Sequence, residues 1–238
     1  MAAKAHSTAT LRLAVGSLRI AHPISVPSDP VPAADVVPAL QGLVNAVVAA
    51  AEAGQAISCR KGCGACCRQL VPVSRTEGER LLQVVAVLPA GRRHALEARF
   101  AAAEARIRTA GLDDRAGRSD RALSAAYFSL GVPCPFLEDE SCSIHPERPL
   151  VCREYLVTSP AELCAGPTQE GVTPVAVPKV SLGARSLQED GGDGGASRAD
   201  DWFPLALLMA WARTRRSSPR KRTGPEWVQR FLKGLSTR

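Results

Sequence analysis

The hydrophobic and polar positions of the chain alternate near the N-terminus and follow helical spacing over most of the remainder. In residues 10–23, apolar residues alternate with polar ones on both sides of Gly16-Ser17. Alternation interrupted by a two-residue turn that glycine leads predicts a short β-hairpin. The proline-containing stretch 25–38 predicts an extended connector to the first helix.

Apolar residues then recur at intervals of three and four, which predicts a series of amphipathic helices. Leu96, Phe100 and Ile107 define one such stripe. Thr76 and Glu79 fit the pattern of a capping box at the start of another helix. The predicted helices cover residues 36–54, 76–88, 92–110, 119–130, 200–213 and 225–235, with a short helical turn at 150–155 and a mobile Gly- and Asp-rich loop at 188–201.

Eight cysteines carry the candidate chemistry, in two groups separated by 66 residues. Gly62 and Gly64 lie inside the first group, where they let the backbone curl so that several thiolates face one point. Three predicted helices occupy the gap and would return the chain to the first group. We therefore predict metal binding by the eight thiols, namely Cys59, Cys63, Cys66 and Cys67 of the first group and Cys134, Cys142, Cys152 and Cys164 of the second.

The number and type of metal sites stay open at this stage. A tetrahedral zinc ion or an iron–sulfur cluster each takes four cysteine ligands, so eight thiols suffice for one or two sites. The adjacent Cys66 and Cys67 project in different directions, which suits two metals, or one metal and the core, better than one shared ion. The sequence does not decide whether Cys164 and His145 are ligands. Metal-free redox thiols and buried inert cysteines are the alternatives.

Basic residues flank the cysteines. Four thiolates around Zn²⁺ leave a net charge of about −2, which a partly dry interior holds only with partners. The candidates for hydrogen bonds to sulfur are Arg60, Lys61, Arg68, Arg148 and Arg153.

Composition favours a mainly α fold. Apolar residues make up 45% of the chain and aromatic residues 4%, so the core has to consist mostly of Ala, Leu and Val. We predict a small helical domain around an irregular cysteine-rich metal core, with a short N-terminal β-hairpin. The predicted divisions are 1–34 for the hairpin and Pro-rich connector, 35–170 for the cysteine-cluster domain, and 171–238 for the Gly/Asp-rich loop, two short helices and the basic tail.

The distribution of charge and the N-terminal sequence bear on the binding partners and the cellular compartment of the protein. Residues 209–238 hold nine basic residues and one acidic residue, so the net charge of +7 belongs to the tail and the rest of the chain carries −1. The basic run lacks interleaved aromatic residues, so a nucleic-acid partner is not favoured. We find no secretory signal and no apolar run near membrane-spanning length. We therefore expect a cytoplasmic protein with reduced thiols, a metal ion as partner, no membrane contact and an unknown protein partner.

The cysteine motifs resemble those of the YkgJ-type cysteine-cluster proteins, a family of zinc- or iron-chelating CxxCxxCC domains. The resemblance covers about residues 57–165 and implies metal chelation without an assigned reaction. Three residues separate Cys59 from Cys63, where the family motif has two, and Cys164 lies outside the core motif. The matching residues are Cys59, Cys63, Cys66 and Cys67, then Cys134-Pro135-Phe136-Leu137, Cys142-Ser143-Ile144-His145, Arg148-Pro149 and Cys152-Arg153.

Three classes of function are compatible with these observations. The leading interpretation is a metal-binding protein that holds zinc or an iron–sulfur cluster. The first alternative is an enzyme, because some members of the resembled family are described as iron–sulfur oxidoreductases and flagellin lysine methylases carry a similar cluster. The second is a zinc-stabilised nucleic-acid-binding module. The spacing from Cys59 to Cys66 also fits the radical S-adenosylmethionine motif. Enzymes with that motif fold as barrels of alternating strands and helices, and the sequence after Cys67 does not show this alternation.

Overall fold

The computed structural model describes residues 5–114, 119–166, 170–187, 202–215 and 220–236. Helices predominate in these parts of the chain, as the composition predicts. The α-helices are α1 (Val37–Glu52), α2 (Arg75–Ala86), α3 (Ala90–Thr109), α4 (Asp120–Leu130), α5 (Leu150–Arg153), α6 (Leu208–Thr214) and α7 (Gly224–Ser236). Short 3-10 helices cover Ala33–Val36, Ala65–Arg68, His145–Glu147, Ala161–Ala165, Val180–Leu187 and Leu205–Leu207.

The strands form two-stranded antiparallel pairs: β1 with β2, β3 with β8, β4 with β7 and β5 with β6. Their bounds are β1 (His6–Val15), β2 (Leu18–Pro27), β3 (Val31–Pro32), β4 (Pro72–Ser74), β5 (Leu137–Glu138), β6 (Ser141–Cys142), β7 (Trp202–Pro204) and β8 (Lys221–Arg222). The N-terminal hairpin is confirmed, with Gly16 at φ +58° in its turn. The connector is shorter than predicted, because β2 continues to Pro27 and a 3-10 helix at Ala33–Val36 leads into α1.

The main apolar cluster lies between the hairpin, α1, the 180–187 helix and α7. It contains Ile24 from the hairpin, Leu40 and Val47 from α1, and Trp227 and Phe231 from α7. These residues come from all three predicted divisions of the chain, and the divisions themselves stay a prediction.

Residues 33–52 contradict the expectation that no apolar run approaches membrane-spanning length. By length and composition alone, this segment could cross a membrane. Of its apolar window, 56% is buried inside the protein. Leu40, Leu43 and Val44 are fully buried, so the segment supplies the centre of the main apolar cluster.

Two further apolar clusters surround α3. The predicted stripe of this helix is confirmed, because Leu96, Phe100 and Ile107 are buried. Ile107 packs with α4 and α6, whereas Leu96 and Phe100 pack with Phe136 in a cluster that Cys134 and Cys142 also contact. Helix α3 therefore connects the helical part of the core to the second cysteine group.

Helix α2 begins with a capping box at Ser74 and Glu77, not at Thr76 and Glu79 as predicted. The Glu77 N–H donates to Ser74 Oγ at 3.2 Å, and the Ser74 N–H donates to Glu77 Oε2 at 3.1 Å. Both pairs fit the same sequence pattern. Ser74 is the residue with the extended backbone that a cap requires, at φ −71° and ψ 160°.

The segment predicted as a helix over 200–213 begins with strand β7 instead. Trp202 lies opposite Ser74 in the pairing of β7 with β4, and α6 starts only at Leu208. The partner strand lies far earlier in the chain, so no local pattern indicates the pairing. The loop predicted at 188–201 lies outside the described residues.

Several basic residues of the C-terminal segment contact the body of the protein. Arg213 donates to both carboxylate oxygens of Glu104, at 2.6 and 2.7 Å. Arg215 forms an ion pair with Glu79. The Arg222 guanidinium lies 5.6 Å from the centre of the Trp227 ring. Arg213 and Arg215 therefore help to dock α6 onto α3 and α2, whereas the Arg222 contact lies within the C-terminal segment.

Candidate metal centre

The first cysteine group lies on a run of tight turns. The Cys63 N–H donates to the Arg60 carbonyl at 3.1 Å, and the Cys67 N–H donates to the Gly64 carbonyl at 3.0 Å. Gly62 has φ +85°, a backbone conformation that favours glycine. The thiols of this group are half-buried.

The second cysteine group is held by a small hairpin and a short helix. Cys134 precedes β5, and its carbonyl accepts from the Leu137 N–H at 2.9 Å. Cys142 lies in β6 opposite Leu137. Asp139 and Glu140 form the turn, with φ values of 48° and 55°. Cys152 follows on α5, the helical turn that the sequence predicts.

The backbone joins the two groups directly. The Cys134 N–H donates to the Cys67 carbonyl at 2.7 Å. Arg68 binds the Glu140 carboxylate with two hydrogen bonds, of 3.0 and 2.6 Å. Gly64 makes this approach possible, because a Cβ there would lie 2.6 Å from a Glu140 carboxylate oxygen. The chain therefore returns to its first cysteine group after the helical excursion.

Cys66 links the two cysteine groups electrostatically. Its thiol interacts electrostatically with those of Cys59, Cys134, Cys142, Cys152 and Cys164, and it hydrogen bonds with the thiol of Cys67. Cys63 interacts with Cys59 and Cys164. All eight predicted ligands thus lie in one connected region.

Cys164, whose role the sequence leaves open, belongs to this region. It is 3% exposed and lies on the 161–165 helix. The Tyr155 hydroxyl donates to its Sγ at 3.9 Å, and the Gln69 side chain donates to its carbonyl at 3.5 Å. An ion pair of 3.7 Å between Arg60 and Glu162 also links this helix to the first group.

The environment of the thiols favours their protonated form. Burial raises the pKa of Cys134 to about 12 and raises the pKa of Cys152 further above its usual value. The hydrogen bond with Cys67, followed by burial, raises the pKa of the Cys66 thiol. A cation would therefore have to displace protons from these sulfurs, so that its binding would release protons to solvent.

Arg148 is a basic residue that acts on several of the thiols. Its charge lowers the pKa of Cys59, Cys66 and Cys142. Within the described residues its buried Nε atom has no hydrogen-bond partner, and its Nη1 atom contacts His145 Nε2. His145 itself is exposed and lies beside this guanidinium.

The other predicted basic partners have different roles. Arg153 is 4% exposed and donates to the Arg148 carbonyl and to Asn45 Oδ1, both at 3.0 Å. These hydrogen bonds fix the 145–153 loop. Burial lowers the pKa of Arg153 to about 10. Arg60 and Lys61 are exposed.

Two buried glutamates next to Cys152 were not predicted as part of the site. Glu77 accepts hydrogen bonds from the Leu150 N–H at 2.9 Å and from Ser74 Oγ at 2.8 Å. Glu154 accepts from the Ser181 N–H at 2.6 Å and the Ser181 hydroxyl at 2.7 Å. The Ser74-x-x-Glu77 pattern could have identified the first. The partner of Glu154 is 27 residues away, so no local signal identifies the second.

The donor set fits zinc or iron by its chemistry, although the side chains as they stand do not form a coordination shell. In the described ranges, no group of three or more Cys, His, Asp or Glu side chains is arranged so that it could hold a metal ion. Thiolates are the common ligands of structural zinc and of iron–sulfur clusters. Rotation of the cysteine side chains would be needed to bring the sulfurs onto a shared cation.

A family comparison identifies the same region. Residues 58–170 match the model of the CxxCxxCC family, whose description reads "Putative zinc- or iron-chelating domain". The match contains all eight cysteines, so the resemblance read from the motifs is confirmed. No curated protein and no solved structure matches the chain.

Proposed function

Because residues 58–170 match the model of the CxxCxxCC family, we propose that this protein binds zinc or an iron–sulfur cluster through its cysteines. The observation that carries the proposal is the 2.7 Å hydrogen bond between Cys134 N and the Cys67 carbonyl, since it joins two cysteine groups that are distant in sequence. The proposed ligands are Cys59, Cys63, Cys66, Cys67, Cys134, Cys142, Cys152 and Cys164.

The residues around the thiols support this assignment. Each thiol gives up its proton to become a ligand, and the resulting negative charge needs compensation in a partly buried site. Arg148 supplies positive charge next to three of the thiols, and Arg153 holds the loop that carries it. A bound zinc would stabilise the irregular region, by roughly 10–16 kcal/mol in comparable sites, and an iron–sulfur cluster would add electron transfer.

The experiment is metal analysis of the full chain purified without oxygen. We expect stoichiometric zinc in a colourless protein, or iron with broad absorption near roughly 400 nm. Cys142→Ala should lower metal retention, and Ser141→Ala on the same strand is its matched control. Wild-type protein without zinc or iron, or equal retention by the two variants, would contradict the proposal.

The identity of the metal also bears on the enzyme alternative. An iron–sulfur oxidoreductase or methylase-like activity requires iron, so stoichiometric zinc would exclude the iron–sulfur version. Detection of iron would justify a search for a substrate.

A further inference from the structure

Strand β1 has an outer edge that can pair with another strand. Among the described residues, β1 and β2 form a two-stranded sheet, so β1 has a partner strand on one side. At the open end of the hairpin, the Ser28 N–H donates to the Ala5 carbonyl at 2.9 Å. Hydrogen-bonded pairs alternate along an antiparallel ladder, and the register runs unbroken to the turn. Odd-numbered residues of β1 therefore bond to β2, and the backbone groups of the even-numbered residues in 8–14 point outward.

The two faces of β1 differ in chemistry. Leu11, Leu13 and Val15 face the main apolar cluster and are half-buried. Thr10 and Arg12 lie on the opposite face and are exposed. A strand that adds to this edge continues both faces, because residues opposite each other in a sheet point to the same side. Every second side chain of such a strand would lie beside the half-buried apolar row, and the alternate ones would lie on the face of Arg12.

The exposed face of the hairpin contains a basic recess. Arg12 lies opposite Ala21, and Arg19 lies opposite Ala14, so the two arginines are diagonal neighbours with alanines at the other corners. These four residues help to line a recess of about 360 Å³. Neither strand contains Asp or Glu. Within the described ranges, neither arginine forms an ion pair. The recess therefore presents two positive charges to a ligand.

The charge of the recess selects the kind of strand that fits this edge. A second copy of β1 would add a further Arg12 and no acidic residue, and like charges on neighbouring strands are destabilising. A carboxylate on the added strand would instead accept charge-assisted hydrogen bonds from Arg12 and Arg19. Apolar side chains at the intervening positions would cover Leu11 and Leu13.

We propose that β1 binds an extended acidic segment of a partner protein, which adds as a third strand and has acidic residues at every second position with apolar residues between them. Main-chain hydrogen bonds to the even-numbered residues of β1 supply affinity, and the recess selects carboxylates. The two strands contain no cysteine, so this surface is separate from the proposed metal ligands.

A fluorescent peptide of alternating Glu and Val residues tests the charge pattern. Its anisotropy would be measured against the full chain at low salt. We expect saturable binding that weakens as salt is added, and no binding of a peptide of alternating Lys and Val. Arg12→Gln should weaken the affinity by about threefold, within the range of one surface ion pair. Arg121→Gln on the exposed face of α4 removes the same charge and is the matched control.

N-methylated peptides test strand addition without altering the protein. Alternate N–H groups of an added strand face β1, and the others face away. One peptide would carry N-methyl groups on its glutamates and another on its valines. We expect binding to be lost with one of these sets and retained with the other.

Four results would overturn the proposal. They are no saturable binding at about 1 mM peptide, equal binding of the lysine peptide, equal effects of the two N-methylated sets, and equal affinities of Arg12→Gln and Arg121→Gln. Sedimentation of the chain alone tests a second copy as the occupant. A dimer that Thr10→Pro disrupts and Thr10→Ala preserves would assign the edge to self-association and would also overturn the proposal.

Discussion

Arg148 is a basic residue whose charge reaches thiols of both cysteine groups. Arg148→Gln removes this charge and should weaken Zn²⁺ affinity by about tenfold, the lower end of the effect of losing a partner that orients metal ligands. Competition with a chromophoric chelator measures the change. Arg60→Gln is the matched control, because Arg60 and Glu162 are 71% and 73% exposed and such ion pairs contribute little. Equal affinities for the two variants would refute the assigned role.

Glu77 connects the capping box of α2 to the helix that carries Cys152. Glu77→Gln should lower the free energy of unfolding by about 1–3 kcal/mol, because an amide cannot accept all of the bonds that the carboxylate accepts from Ser74 and Leu150. Urea denaturation of the metal-free protein measures this. Glu97→Gln, on the exposed face of α3, should change little.

The same variant tests the protonation of Glu77. Burial raises the pKa of this carboxyl, so the folded state holds the proton to higher pH than the unfolded state. Its contribution to stability is complete below the unfolded pKa of about 4.3 and is lost as pH rises through the folded pKa. The stability advantage of wild type over Glu77→Gln should therefore shrink as the pH rises above the unfolded pKa of about 4.3. An advantage that grows with pH would mean that Arg153 keeps the carboxylate ionised.

At the scale of elements, the packing of the first cysteine turn against the β5–β6 hairpin depends on Gly64. Gly64→Ala would place a Cβ 2.7 Å from Leu137 Cδ1 and 3.2 Å from the Glu140 Cα. Because the Leu137 and Glu140 side chains have to shift and the Glu140 backbone has to give by a few tenths of an ångström, we expect a loss of about 1–3 kcal/mol in stability and weaker metal binding. Gly91→Ala in α3 has open space around its Cβ and should be neutral or slightly stabilising. Equal effects in urea denaturation would contradict the close approach.

The elements also show what sequence alone can predict. The stripe of α3 and the hairpin turn at Gly16 follow from local periodicity and were predicted correctly. The start of α2 was not, because two overlapping capping patterns differ only in which residue adopts extended backbone. Strand β7 and the contacts of Cys164 depend on distant partners, which periodicity does not encode. The cysteines were found from their spacing, whereas Glu154 has no such signal.

At the scale of the whole molecule, the main apolar cluster and the cysteine region should respond differently to metal removal. The main cluster is built mostly from the hairpin, α1, the 180–187 helix and α7, which contain no cysteine, and it also includes Leu150 of α5. Chelation should therefore increase amide hydrogen exchange in residues 58–70 and 134–166 much more than in α1. Mass spectrometry of peptides with and without chelator measures this. Uniform loss of protection would contradict the separation.

The central claim is that sulfur from both cysteine groups binds the metal, and X-ray absorption at the metal edge tests it most directly. For protein purified without oxygen, the account predicts a first shell of sulfur alone, at about 2.3 Å if the metal is zinc. A first shell dominated by nitrogen or oxygen would contradict the account.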